Sequence, residues 1–132
     1  MTALVIDSSV LAVALVDDGP SGKHIRQRLL GWELVAPELI DLEVTSVIRK
    51  RTRAGQLSAD RARQAIDDLA NLPVLRLALR PLLARIWELH PNLTSYDAAY
   101  IASAELLPAP LLTADAKLAA APGIRCDIEV VG

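Results

Sequence analysis

Ala3-Leu4-Val5-Ile6-Asp7-Ser8-Ser9 decides how the rest of the chain is read. Four apolar residues, two of them β-branched, run unbroken into an aspartate and two serines. A short continuous apolar run bounded by polar residues is the pattern of a strand buried on both faces. Such strands belong to parallel sheets that carry helices on either side. Ser8 can cap a helix reaching Leu15, so the stretch reads as strand, turn and helix.

The same alternation continues downstream. Asp17-Asp18-Gly19-Pro20 breaks the first helix. Lys23 to Leu30 predicts a second helix, closed by Gly31, and Glu33 to Ala36 a second strand before Pro37. From Glu38 to Arg53, Leu39, Ile40, Val44, Val47 and Ile48 repeat at the three-to-four spacing of one apolar helical stripe. Gly55 stops that helix, and Ser58 caps another from Ala59 to Ala70, so the two form a helical hairpin. Val74 to Leu79 reads as a strand and Pro81 to His90 as a helix with proline in its first turn. Thr94 caps a helix to Leu107, Pro110 to Leu112 is a strand, Ala116 to Ala120 a short helix, and Ile124 to Val130 a last strand. The pattern predicts one α/β domain over 1–132, a three-layer α/β/α sandwich with a mainly parallel central sheet.

Composition narrows the function. With 132 residues, 52% of them hydrophobic, the chain can bury a core, which excludes global disorder. Aromatics are 3% with no Phe, so base-stacking platforms are nearly excluded. A single cysteine, Cys126, excludes an internal disulfide and a thiolate zinc site, and its apolar surroundings read as a buried strand position. His24 and His90 have no paired-ligand spacing and read as packing or surface residues. No basic leader is visible, and the longest apolar stretch, Val10 to Val16, is far too short to span a bilayer. A cytoplasmic protein without membrane contact is expected. Net charge is −2, yet of 14 Lys and Arg, six (Arg49, Lys50, Arg51, Arg53, Arg61 and Arg63) fall in one stretch opposed there only by Asp60. Such a stripe can hold a polyanion locally. Its plainer reading is a solvated hairpin partly paired with Asp60, Asp67 and Asp68.

Four acids stand where structure alone does not require them. Asp7 ends the first strand, Glu43 sits beside the apolar stripe of its helix, Asp97 opens the Thr94 helix, and Asp115 follows the strand ending at Leu112. Strand ends and helix starts on one edge of a parallel sheet share a crevice where ligands bind; Glu43 joins it if its helix packs across that edge. Two carboxylates about 4 Å apart repel by roughly 4 kcal/mol at an effective dielectric of 20. Either some take up protons or a cation lies between them. Oxygen donors without Cys or His select a hard ion, Mg²⁺ or Mn²⁺. Held by carboxylates with open water positions, such an ion suits phosphodiester hydrolysis, and Ser8, Ser9 and Thr113 could orient its waters. Each acid also has a simpler explanation. Asp7 and Asp115 can cap the helices that follow them, Glu43 can snorkel, and Asp97 lies three residues after Thr94 as the reciprocal member of a capping box.

Order and context sharpen the acids into a pattern. Val5-Ile6-Asp7-Ser8-Ser9, Leu42-Glu43-Val44-Thr45-Ser46-Val47-Ile48-Arg49, Thr94-Ser95-Tyr96-Asp97-Ala98-Ala99-Tyr100-Ile101-Ala102 and Leu111-Leu112-Thr113-Ala114-Asp115 follow one another in an order and spacing that resembles the PIN-domain ribonucleases, and more narrowly the VapC-type toxins of bacterial toxin–antitoxin pairs. The likeness covers nearly the whole chain, and the third segment is its most specific part. It implies the PIN α/β/α sandwich and a metal-dependent endoribonuclease leaving 5′-phosphate and 3′-hydroxyl ends. It further implies a homodimer held inactive by a cognate antitoxin, whose helix or strand would lie in an apolar groove beside the helical hairpin. On this likeness Asp7, Glu43, Asp97 and Asp115 would bind Mg²⁺ and position or deprotonate the attacking water, with Ser8 and Thr113 assisting by hydrogen bonds. Arg49, Lys50, Arg51 and Arg53 would hold RNA phosphates. Some members carry a further acid after the fourth; position 118 is Leu here, which points to one tight Mg²⁺ site.

Rival readings meet specific obstacles. A phospho-receiver domain wants an acidic pair after its first strand and a lysine near its last, but Asp7 is followed by Ser8 and Ser9, and Lys117 lies at a helix start. A haloacid-dehalogenase-type phosphatase wants Asp-x-Asp, and position 9 is Ser. A catalytically inactive PIN-like module that only binds protein would not need all four acids intact.

Overall fold

The computed structural model describes residues 2–132. Its core is a five-stranded, all-parallel sheet in the order β3-β2-β1-β4-β5. Strand β1 (Ala3–Ile6) lies at the centre, flanked by β2 (Glu33–Pro37) and β4 (Leu111–Thr113), with β3 (Leu75–Leu77) and β5 (Ile128–Val130) at the edges. Leu4, Val5 and Ile6 are all fully buried. Neighbouring strand residues point to opposite faces, so both faces of the sheet are covered. Burying each such side chain contributes about 1.5–3 kcal/mol.

The helices among the described residues sort into two groups. Helix α1 (Ser8–Val16) packs against α2 (Pro20–Leu29), α3 (Ile40–Arg53) and α4 (Ala59–Asn71). Helix α5 (Leu83–Glu88) packs against α6 (Ser95–Leu106), which lies over β1, β2 and β4, while the short α7 (Ala116–Ala119) leans on β5. This is the α/β/α sandwich expected from the alternation of elements.

Several boundaries differ from the sequence reading, for local reasons. Pro20 does not merely break the chain; it is the first residue of α2, where a missing N–H is harmless. The tight approach of α2 to the end of α1 is made at Gly22, whose added Cβ would meet the Asp17 carbonyl oxygen at 1.9 Å. Helix α3 starts at Ile40 rather than Glu38, whose N–H bonds to the Leu77 carbonyl (2.8 Å) and so extends the sheet. Strand β3 is Leu75–Leu77 and not Val74–Leu79, because its partner β2 ends at Pro37, paired with Leu77. The predicted Pro81–His90 helix divides into a 3₁₀ turn, Arg80–Leu82, and α5. The last strand is Ile128–Val130 rather than Ile124–Val130, since its three residues match the three of β4. Cys126 therefore lies in the loop before β5, half-buried, and not in a strand.

Candidate active site

Parallel strands put all their C-terminal ends on one edge, and the site is built there. β1 and β4 are neighbours although one precedes the other by more than a hundred residues, and the chain order reverses between them, which opens a crevice at that edge. The β1–β4 ladder continues to the site itself: Asp7 N–H bonds to the Leu112 carbonyl (3.3 Å). On the far side of β4, Val131 N–H bonds to the Thr113 carbonyl (2.8 Å). The backbones of Asp7 and Thr113 are thus fixed by the sheet before any side chain acts.

Asp7 is buried and caps α1, accepting at Oδ1 from Val10 N–H (3.1 Å) and from the Ser9 hydroxyl (2.6 Å). Its Oδ2 accepts from the hydroxyl of Thr113, which is fully buried. Thr113 Oγ1 accepts in turn from Asp115 N–H (3.0 Å), and Ser9 Oγ from Ala114 N–H (3.2 Å). Two hydroxyls therefore tie the loop after β4 to the turn after β1. Ser9, and not Ser8, makes the bond to Asp7.

Asp97 lies in the first turn of α6, which Thr94 caps by accepting from Asp97 N–H (3.1 Å). The reciprocal half of a capping box, from the Asp97 carboxylate to Thr94 N–H, is not formed among the described residues. Burial holds the Asp97 pKa above the usual carboxylate value, and the negative charges of Asp115 and Asp7 push it the same way, against a smaller opposing bond from Thr94. The acids that precede α1 and α7 thus both act on Asp97 in α6. Asp115 is exposed and caps α7 through Lys117 N–H (2.9 Å).

Glu43 reaches the same edge because α3 begins there, directly after β2, and Glu43 is in its first turn. No crossing of the edge by the body of the helix is needed. Its Oε1 accepts from the hydroxyl of Tyr100 (2.5 Å), and Tyr100 is only 2% exposed. Burial raises the Tyr100 pKa far above its ordinary value; the bond to Glu43, the Glu43 charge and the charge of Asp7 act in the same direction. Tyr100 is therefore a neutral donor that senses both Glu43 and Asp7. Reading the sequence gave Tyr100 no role. The available signal was a tyrosine within a run of buried α6 residues, whose hydroxyl needs a partner off its own helix.

The donor set of this edge is all oxygen, negatively charged and mutually repelling, which fits a hard divalent cation. Among the described residues no three of the His, Cys, Asp and Glu side chains already converge on a common ligand position. Each carboxylate instead takes the neutral donors its own surroundings offer, Asp7 from Ser9, Val10 and Thr113, Glu43 from Tyr100, and Asp115 from Lys117. Beside Asp97 and Asp115 lies a recess of about 350 Å³, and Lys117 is the one cation lining it. Lys117 was weighed in the sequence only against the phospho-receiver pattern.

The basic residues lie further along α3. Arg49, Lys50 and Arg53 are exposed and Arg51 half-buried. At 1.5 Å per residue they follow Glu43 by about 9–15 Å along the helix. Arg49 and Arg53 line a shallow groove between α3 and α4. Arg61 does not belong to this free stripe: it bonds to Asp18 (3.1 Å) and to the Leu15 carbonyl (2.7 Å), tying α4 to the end of α1. No helix among the described residues is long and apolar enough to cross a membrane.

Residues 4–124 match the family model of the PIN domain. Ribonuclease VapC1 of Mycobacterium tuberculosis (strain ATCC 25618 / H37Rv) is 39% identical over 132 residues, covering 99% of each chain. Among solved structures, VapBC2 from Rickettsia felis bound to a DNA fragment from their promoter has a TM-score of 0.71 at 12% identity, with 98% of each chain covered. A toxin–antitoxin complex from Klebsiella pneumoniae has a TM-score of 0.60 at 20% identity, covering 89% of this chain and 90% of that one. These two likenesses are of fold.

Proposed function

The chain belongs to the PIN-domain family, and on that premise we propose that it is a single-domain endoribonuclease toxin. It uses Mg²⁺ or Mn²⁺, acts on RNA in the cytoplasm and is held inactive by a cognate antitoxin. Ribonuclease function follows from its likeness to ribonuclease VapC1 over nearly the whole chain. The observation that supports the chemistry is that acids from three elements are drawn to one strand edge: burial holds the Asp97 pKa up, and the charges of Asp115 and then Asp7 add to it. A cluster that raises its own electrostatic energy is the arrangement a bound dication relieves.

Asp7, Glu43, Asp97 and Asp115 would hold the ion, which when bound supplies an acidified water and positive charge for the phosphodiester. The chain's own residues do the rest. Thr113 and Ser9 hold Asp7 in one orientation and leave Oδ2 with capacity for one further partner. An unprotonated acid of the cluster accepts the proton of the attacking water. Lys117, lining the recess beside Asp97 and Asp115, contacts a phosphate of the bound strand. Arg49, Lys50, Arg51 and Arg53 bind phosphates further away. With few aromatics to stack bases, the enzyme selects RNA by shape and loop presentation.

Two apolar grooves support the partner readings. The larger, about 830 Å³ between α1, α2 and α4, is floored by Leu11, Leu15, Leu29 and Leu72 and edged by Arg26 and Arg61. It adjoins the helical hairpin and suits an amphipathic antitoxin helix. A second groove of about 440 Å³ includes the exposed Leu83, Trp87 and Tyr96, and suits a second copy of this chain.

The test is incubation of the purified protein with total RNA, with and without Mg²⁺, followed by mapping of the cut ends. Cleavage leaving 5′-phosphate and 3′-hydroxyl ends, lost with a chelator and with Asp97→Asn, is expected. Cleavage that survives both would overturn the metal-dependent reading, and no cleavage under any condition would favour a protein-binding module.

A further inference from the structure

The hydrogen bond between Tyr100 and Glu43 joins α6 to α3 at the acidic edge, two helices that belong to opposite sides of the sheet. From Ala98 to Ala104, α6 is buried without interruption, and every side chain there except Tyr100 and Ser103 is Ala or Ile. Ser103 returns its hydroxyl to its own helix, at the Ala99 carbonyl (2.8 Å). Tyr100 is thus the one residue of the buried run that sends a polar group off the helix. Phe would fill the same space, so packing explains the ring and leaves the hydroxyl unexplained. The hydroxyl meets Oε1 of Glu43, while Oε2 has no protein donor among the described residues.

Glutamate has three rotatable side-chain bonds, and freezing them opposes ion binding. A carboxylate already held by one oxygen loses less freedom when the other engages a ligand. We propose that Tyr100 is a positioning residue for Glu43: its hydroxyl fixes Oε1 and presents Oε2 to the divalent ion. The inference rests on the metal-dependent reading above and extends it to a residue that touches neither ion nor RNA.

The test is titration of the full-length protein with Mn²⁺ alone, by calorimetry, in the absence of RNA. Tyr100→Phe keeps the ring and removes the hydroxyl; Glu43→Asp keeps the charge and withdraws it from the phenol. Each is expected to weaken the Mn²⁺ Kd by about tenfold or more, the usual effect of losing an outer partner of a metal ligand. The Mn²⁺ midpoint of RNA cleavage should move by the same factor. A role confined to stability would lower the melting temperature of both variants without moving either midpoint. Glu43→Gln separates the two ideas. If it binds Mn²⁺ as wild type does, the metal reading itself fails. If it loses Mn²⁺ while Tyr100→Phe and Glu43→Asp both bind within twofold of wild type, the positioning role is overturned. Should Tyr100→Phe fail to fold, Tyr100→Leu, which also lacks the hydroxyl and leaves Glu43 intact, decides in its place.

Discussion

Thr113 donates its hydroxyl hydrogen to the carboxylate of Asp7 across 106 residues of sequence, and both side chains are buried. A hydrogen bond to a charged group is worth about 1.5–3 kcal/mol net, and a buried acceptor left without its donor keeps its desolvation cost. Thr113→Val preserves shape and removes the donor. It should destabilise the metal-free protein by about 2 kcal/mol in urea unfolding. An unchanged midpoint would mean that the bond carries no net stability.

Asp97 titrates with a raised pKa, and the sign of its effect on stability follows. A folded-state pKa above the unfolded value means the native protein binds the proton more tightly. The associated stability is present below the unfolded pKa, near 3.8, and is lost as pH rises through the higher folded value. Asp97→Asn removes this dependence and keeps the Thr94 cap, which uses backbone N–H. The stability of the variant relative to wild type should therefore increase between about pH 3.8 and neutrality, then level off. Chemical denaturation across that range checks it. A constant difference would show that neither burial nor the neighbouring acids raise the Asp97 pKa, and a neutral-pH loss of about 1 kcal/mol or more would return Asp97 to a capping role.

Divalent ions should reverse the same repulsion. A ligand that binds only the folded state at a hundred times its Kd adds about 2.7 kcal/mol. Mg²⁺ or Mn²⁺ should raise the melting temperature of wild type, whereas Ca²⁺-free chelator should not, and the shift should vanish in Asp97→Asn and Glu43→Gln. Equal shifts in all three proteins would point to binding elsewhere.

Arg49 and Arg53 lie on exposed turns of α3. If each neutralises one phosphate of a single strand, the logarithm of affinity loses about 0.7 per contact against the logarithm of salt. Arg49→Ala with Arg53→Ala should flatten that slope by about 1.4 in a binding titration with single-stranded RNA. An unaltered slope would exclude the two residues from the RNA path.

Trp87 is 69% exposed and stacks on His90 at 3.9 Å, beside Leu83 and Tyr96. If this face joins two copies, Trp87→Glu should convert a dimer to a monomer by sedimentation, with little change in the melting of the monomer. A wild-type monomer at micromolar concentration would remove the dimer.

What the sequence disclosed was mostly local. The unbroken Ala3–Ile6 run, the apolar stripe of α3, and the Ser58 and Thr94 caps depend on neighbours within one turn or strand, and the structure has them. Their alternation gave a mainly parallel sheet, and the structure makes every pair of its strands parallel. What escaped depended on distant partners. β5 was read too long because its length is set by β4. Thr113 is a strand residue and was placed just beyond the strand, although its chemistry depends on Asp7. Ser8 and Ser9 look alike as neighbours, and only the geometry of the turn separates the one that bonds to Asp7. Tyr100 was quoted within its segment but had no visible partner, because Glu43 is 57 residues away.

The pairing of β1 with β4 also sets a time order during synthesis. A chain emerging from the ribosome exposes Asp7 early, but Thr113 and Asp115 arrive only after most of the polypeptide is out. Until β4 slides in beside β1, Asp7 has neither its threonine nor its acidic neighbour. On the proposed assignment of the acids, a nascent fragment carrying only Asp7 and Glu43 would lack the acids of α6 and of the β4 edge, and cutting would begin only once the final strands have closed the sheet.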